Sequence, residues 1–160
     1  MLRIGLFCVQ SAHAAVPDGG MDCRVKQVGA SHMKKSFVRG ARAESRAYSM
    51  AVITEGAAKT IWVAGHTGAV DDAGKSLAGD FDAQVRQTFR NIEKTLAEAG
   101  AKLADIVTMT VFLIDARYTT RMTELRVQIF GKDFPASAAI TVAGFALPEM
   151  MLEIQCVAVV

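Results

Sequence analysis

Residues 79–100, GDFDAQVRQTFRNIEKTLAEAG, read as one amphipathic helix with clear start and stop signals. Asp80 is placed to accept from the first free backbone amides, and Asp82 lies near the positive end of the helix dipole. Phe81, Val85, Phe89, Ile92 and Leu96 recur three or four apart and form one apolar stripe. Gly100 is placed to close the helix in a left-handed conformation. A stripe of that length must be buried against a sheet or a second helix, so the rest of the chain has to supply one.

The composition is compatible with that demand. A chain of 160 residues with 51% hydrophobic and 21% charged residues is an ordered globular chain, most simply of one domain. The net charge is only +2, and the basic residues are dispersed apart from Lys34-Lys35 and Arg39-Arg42, so no footprint for nucleic acid is present. Three cysteines without a CxxC exclude a disulfide framework. The isolated histidines His13, His32 and His66 give no zinc spacing. No run reaches the ~18 apolar residues that would cross a bilayer, so no membrane partner is expected.

The first 32 residues differ from the rest. Met1 to Ala15 carries Arg3, a short apolar run and Ala12-His13-Ala14, which mimics a signal-peptidase site. Residues 16–32 hold Pro17, Gly19, Gly20 and Gly29 without periodicity. Residues 1–32 are read as a leader, a tag or a disordered extension, and the folded domain is placed at 33–160. The expected location is cytoplasmic, with secretion as the other reading of residues 1–15.

From Met33 onward strands alternate with helices. Tyr48–Thr54 and Lys59–Ala64 are strand candidates, close enough to suggest an antiparallel hairpin through Glu55–Ala58. Residues 65–79 are a glycine-rich loop. Ile106–Leu113, IVTMTVFL, is apolar at both periods of the pleat and predicts a central strand. Arg117–Phe130 predicts a second helix, ended by Gly131 and Pro135. Ala138–Val142 and Met151–Val160 complete the order strand, strand, helix, strand, helix, strand, strand. Two helices then cover one face of a mixed sheet, an α+β two-layer sandwich. The opposite sheet face is too apolar for water, which implies a homo-oligomer with sheets packed inside.

Tyr48–Val52, Gly65-His66-Thr67-Gly68, and the helix with Gln84, Thr88, Asn91 and Ala99-Gly100 together resemble the RidA/YjgF family of reactive-intermediate deaminases. The match continues through Leu113-Ile114-Asp115, Phe134-Pro135-Ala136, Leu147-Pro148 and Leu152–Ala158. It covers roughly Arg46 to Val160. The resemblance implies a chorismate-mutase-like fold, a homotrimer with clefts between subunits, and hydrolysis of enamines or imines to carbonyl products and ammonia. It implies neither a metal nor an organic cofactor.

Departures from the family pattern fall at the site. Where deaminase members carry an arginine that clamps the substrate carboxylate, this chain has Ser137, which offers no charged fork. Ala139 stands in place of a cysteine, Thr123 in place of an asparagine and Arg126 in place of an aromatic. Glu153 and Tyr48 are kept. This chain therefore resembles the branches of the family that lack the arginine.

Glu153 lies between Leu152 and Ile154 and alternates to the other face of its strand. In an apolar cleft between subunits it would be a general base for water. A solvated edge glutamate and a trimer salt bridge are the other readings. Tyr48 could hydrogen-bond or stack on a substrate. The backbone amides of His66 and Thr67 could donate to a substrate oxygen, and the His66 ring could shuttle protons; a structural loop histidine is the alternative. Arg126 could replace the missing clamp from the second helix, the ordinary expectation for it being a surface arginine. Ser137 and Thr141 offer neutral donors. Cys156 is expected to be a buried strand residue. The function expected is an enamine or imine deaminase, possible substrates including aminomuconate-like ring-cleavage products. The alternative is a small-molecule-binding or protein-protecting trimer without catalysis. The dispersed charge speaks against the ribonuclease role proposed for relatives.

Overall fold

The 79–100 segment forms its helix, α1, over Phe81–Glu98. Asp80 Oδ1 accepts from the Ala83 amide at 2.9 Å, and Gly100 closes the far end at φ 75°. All five residues of the apolar stripe are buried. The computed structural model describes residues 33–40, 43, 45–56 and 58–160. The proposed extension over residues 1–32 lies outside the described residues.

The stripe packs on a four-stranded sheet. Its strands are β3 (Thr60–His66), β4 (Ile106–Leu113), β5 (Ala136–Thr141) and β6 (Leu152–Val159), in the order β3-β6-β4-β5. A second helix, α2 (Thr119–Phe130), connects β4 to β5, which run parallel; the other pairs are antiparallel. A single 3-10 turn, Ala116–Tyr118, leads into α2. Gly131 ends it at φ 69°. The α+β architecture, a mixed sheet with two helices on one face, is the expected one. β4 is indeed a central strand, flanked by β6 and β5.

Period-2 alternation decides what the helices see. Met109, Val111 and Leu113 of β4, and Leu152, Ile154 and Cys156 of β6, join Val85, Phe89, Ile92, Leu96, Met122 and Leu125 in one core. Phe81 stacks on Tyr118 at 4.3 Å, and Phe89 meets Phe130 edge-on at 5.5 Å, which fixes α2 against α1. The bidentate grip of Arg121 on Asp82 adds a charged clasp between the two helices, and Arg121 also holds Glu124 at 2.5 Å. The opposite sheet face carries Trp62, 80% exposed, beside Val157, Thr108, Thr110 and Gln155, with Phe112 and Ile140 further along. It is more polar than the apolar run of β4 implies.

The expected hairpin between the first two strands does not form. The strand expected at Tyr48–Thr54 is β2, Ala51–Glu55, and it pairs antiparallel with β1, Lys34–Val38, from Lys34↔Glu55 to Val38↔Ala51. The next strand, β3, pairs with β6 instead. The reason lies in burial: Val63 and Ile61 of β3 pack on the core, whereas β2 puts no side chain into it. β1, KKSFV, opens with two lysines and has no alternation to announce it. The small sheet is tied to the large one through Ser49. Its amide donates to the Pro135 carbonyl at 3.1 Å, and its hydroxyl donates to the Phe134 carbonyl at 2.5 Å.

The loop after β3 docks directly on α1. A Cβ at Gly68 would lie 2.3 Å from the Gln84 carbonyl and 2.7 Å from the Thr88 amide, both backbone atoms that cannot step aside. Gly68→Ala is expected to destabilise by about 1–3 kcal/mol, the usual range for overpacking. Gly144→Ala, at an open position, should be close to neutral. Urea unfolding of the two variants compares them directly. A second expectation concerns acid. The hydrogen bond from Arg121 holds the Asp82 carboxyl below its ordinary range. Its contribution is present above the unfolded-state carboxylate pKa of ~3.9 and is lost as pH falls through the lower native value. Asp82→Asn should therefore be less stable than the parent near neutrality, and the gap should narrow as the pH falls below the unfolded-state value; thermal melts across pH measure it.

Candidate active site

Three elements enclose a cleft of about 340 Å³ at the outer edge of β5. Arg46 and Tyr48 come from the segment before β2, Thr119, Thr123 and Arg126 from α2, and Ser137 and Ala139 from β5. The helix residues share one face because they are four and three apart. Ser137 points to the helix side of the sheet, since it pairs in register with Met109 of the core.

Arg126 is the unusual member. It is 6% exposed, which corrects the ordinary expectation of a surface arginine. One terminal nitrogen donates to Ser137 Oγ at 2.8 Å, and the other to the Arg46 carbonyl at 3.0 Å. That carbonyl is turned inward where Ala47 takes a left-handed φ of 54°. The buried Nε–H has no acceptor, and no carboxylate pairs with the guanidinium among the described residues. Burial pulls its pKa down to about 10, which leaves it charged at neutral pH.

Glu153 lies elsewhere. Its neighbours Leu152 and Ile154 are fully buried under the helices, so its side chain projects from the uncovered face of the sheet. It lies over Gly65, where an added Cβ would come 1.8 Å from Glu153 Oε1. The register between β3 and β6 slips between Val63 and His66, and this bulge brings Gly65 under the carboxylate. Among the described residues no hydrogen bond or ion pair engages Glu153. Within one chain, then, Glu153 and the Arg126–Ser137 pair occupy opposite faces of the sheet.

His66 is bound into the fold. Its Nδ1 lies 2.8 Å from the Ala64 carbonyl, which can only accept, so Nδ1 carries a proton. Its Nε2 lies 2.8 Å from the Thr95 hydroxyl on α1. Both ring nitrogens are thus engaged. The Thr67 carbonyl accepts from Asn91 Nδ2 at 2.8 Å, while the Thr67 hydroxyl is buried with no partner among the described residues. Gln84 braces the same region, donating to the Leu77 and Glu149 carbonyls and accepting from the Met151 amide. Thr141 is exposed at the end of β5 and does not line the cleft. Cys156 is buried, and desolvation pushes its thiol up to about 11.

The structure thus brings together Tyr48, Arg126 and Ser137, and separates them from Glu153, His66, Thr67 and Thr141. Sequence reasoning did not place Arg46 or Thr119 in the cleft. The threonine spacing Thr119, Thr123 ahead of Arg126 marks a polar helix face that could have shown the second of these. Among the described residues no cluster of three or more His, Cys, Asp or Glu side chains gathers to hold a metal, and no helix is long and apolar enough to cross a membrane.

Comparison with known proteins supplies the remaining constraint. Residues 40–160 match the family described as Endoribonuclease L-PSP. The chain belongs to this RidA/YjgF family. A human relative named 2-iminobutanoate/2-iminopropanoate deaminase is 33% identical over 113 residues, covering 70% of this chain and 79% of its own. A RutC family protein of Pyrococcus abyssi is 34% identical over 99 residues, 61% of this chain and 76% of its own. A solved structure of a YjgF-family member from Mycobacterium tuberculosis is 30% identical, with TM-score 0.55, over 79% of this chain and all of that one (100%). A Rid-family protein from Yersinia pestis superposes at TM-score 0.69 over 79% of this chain and 98% of that one; at 24% identity it shows the fold alone.

The contact between Gly65 and Glu153 has a measurable consequence. Gly65→Ala must displace the far end of a flexible side chain, not backbone. The substitution should cost less stability in a Glu153→Ala background than in the parent, with a coupling of about 0.5–3 kcal/mol for residues in contact. A double-mutant cycle by urea denaturation reads it.

Proposed function

We propose that the chain is a deaminase hydrolysing enamines or imines to carbonyl compounds and ammonia, in clefts shared between copies of a homotrimer. Relatives named as imine deaminases support the reaction class. The observation that carries the shared cleft is the separation of Glu153 from the Arg126–Ser137 pair by the thickness of the sheet. A carboxylate that faces away from its own cleft is available to a neighbour's. The uncovered sheet face with Trp62 offers the surface on which copies would pack.

In this reading the substrate lies against Tyr48 and Ser137, and the Glu153 carboxylate of an adjoining copy faces its C=N carbon. Glu153 takes a proton from water as the oxygen attacks, giving a tetrahedral carbinolamine. That proton then passes to the nitrogen; as the C–N bond breaks, Glu153 takes the proton of the carbinolamine hydroxyl, which becomes the carbonyl, and ammonia leaves. An enamine first takes a proton at carbon to become the iminium. No metal or organic cofactor takes part in this sequence.

A second reading is a trimer that binds small molecules without turning them over. Ser137 favours it, since a neutral hydroxyl stands where deaminase members carry the clamping arginine.

Ammonia release over a panel of enamines, each generated in situ, tests the first reading. Glu153→Ala should lower kcat by about 10²-fold or more while sedimentation shows the oligomer intact. Mixing Glu153→Ala with Ser137→Trp, which blocks the cleft, should restore part of the activity through hybrid trimers with one unspoiled site. Equal rates for the parent and Glu153→Ala would remove Glu153 as the base and favour the binding protein.

A further inference from the structure

Arg126 is a buried cation with no anionic partner among the described residues. Taking an ionised group out of water is costly unless it is paired. The Ser137 hydroxyl and the Arg46 carbonyl satisfy two of the five N–H groups with neutral dipoles and leave the charge uncompensated. Among the described residues, the nearby carboxylates are committed elsewhere. Glu124 and Asp82 are held by Arg121, Asp115 by Arg117, and Asp133 by Arg39. Arg46 lines the same cleft, together with Tyr48, Thr119 and Thr123. The cleft is therefore positive and lined with hydroxyl-bearing side chains, and nothing among the described residues neutralises it.

We infer that Arg126 is the anion-binding residue of this cleft, held in place by Ser137 and the Arg46 carbonyl, and that the cleft takes small molecules bearing a carboxylate. The inference rests on the deaminase reading only for the choice of a carboxylate-bearing imine or enamine as substrate. Anion binding itself requires no turnover. A planar guanidinium with unused N–H groups matches the two oxygens of a carboxylate. Ser137 is then a positioning residue. Its oxygen accepts from one end of the fork and fixes the guanidinium at the wall of the cleft, with N–H groups left unused. The charge is delivered from α2, while β5 contributes the hydroxyl that aims it.

Binding of propionate, its uncharged isostere propionamide and inorganic phosphate is measured by calorimetry on the whole protein. The parent is expected to bind propionate at least tenfold more tightly than propionamide and than phosphate. Arg126→Met should lose the preference for the acid, and Ser137→Ala should reduce it without abolishing it. Equal affinities of the parent for acid and amide would overturn the inference, and so would tighter binding of phosphate. Because Arg126→Met could fail to fold, a crystal of the parent soaked in 3-bromopropionate gives an independent readout. The anomalous bromine signal should lie in the cleft beside Arg126, and a signal confined to any other place overturns the inference. The two proposals fail separately. Acid binding at Arg126 with no ammonia released from any substrate removes only the catalytic reading. Turnover of neutral enamines without any preference for acids removes only the carboxylate.

Discussion

The two-residue period of β6 divides this molecule. Leu152, Ile154 and Cys156 point under the helices and are buried, and Glu153, Gln155 and Val157 point away. One strand thus supplies the floor of the core and a carboxylate outside it. A shift of one residue in register would bury Glu153 beneath the helices and expose Ile154. The bulge in β3 belongs to the same constraint, because it sets Gly65, the one residue type without a Cβ, under the Glu153 carboxylate.

The helix side of the sheet has its own division. Along α2, Met122 and Leu125 enter the core, while Thr119, Thr123 and Arg126 turn toward the segment before β2. That segment is held against β5 by Ser49, and Ala47 in its left-handed conformation turns the Arg46 carbonyl toward Arg126. The small β1–β2 sheet contributes little to the core. The segment that leads into β2, with Arg46 and Tyr48, closes one side of the polar cleft.

Much of the frame was legible in the sequence because it depends on local rules. The cap at Asp80, the stripe from Phe81 to Leu96, the stop at Gly100 and the central run of β4 each follow from neighbours within a turn or a strand. Strand pairing was less legible. Proximity in sequence favoured a hairpin between β2 and β3, whereas burial of Val63 and Ile61 carried β3 to β6 almost a hundred residues away. The lysine-led β1 had no alternation to reveal it. Of the site residues, Tyr48, Arg126 and Ser137 came together, but the side of the sheet on which each lies is a tertiary fact. Glu153 could be assigned to the face opposite Ile154, yet nothing local said which face the cleft would occupy.

Arg126 shows the limit most directly. Read along the helix, an arginine one residue beyond Leu125 belongs to the solvated side, and that is the correct default for an amphipathic helix. It fails here because β5 runs alongside α2 and the Arg46 turn folds over it, removing the guanidinium from water with no carboxylate partner among the described residues. The serine at position 137, viewed alone, is the loss of a charged clamp. Viewed with Arg126 at 2.8 Å, it is an acceptor for a guanidinium that reaches the same wall from the neighbouring element. An arginine at position 137 would set two cations against each other in one buried space, a repulsion a low-dielectric site amplifies. Ser137 and Arg126 are therefore to be read as a pair: the small neutral residue on the strand is the condition under which the helix can carry the charge.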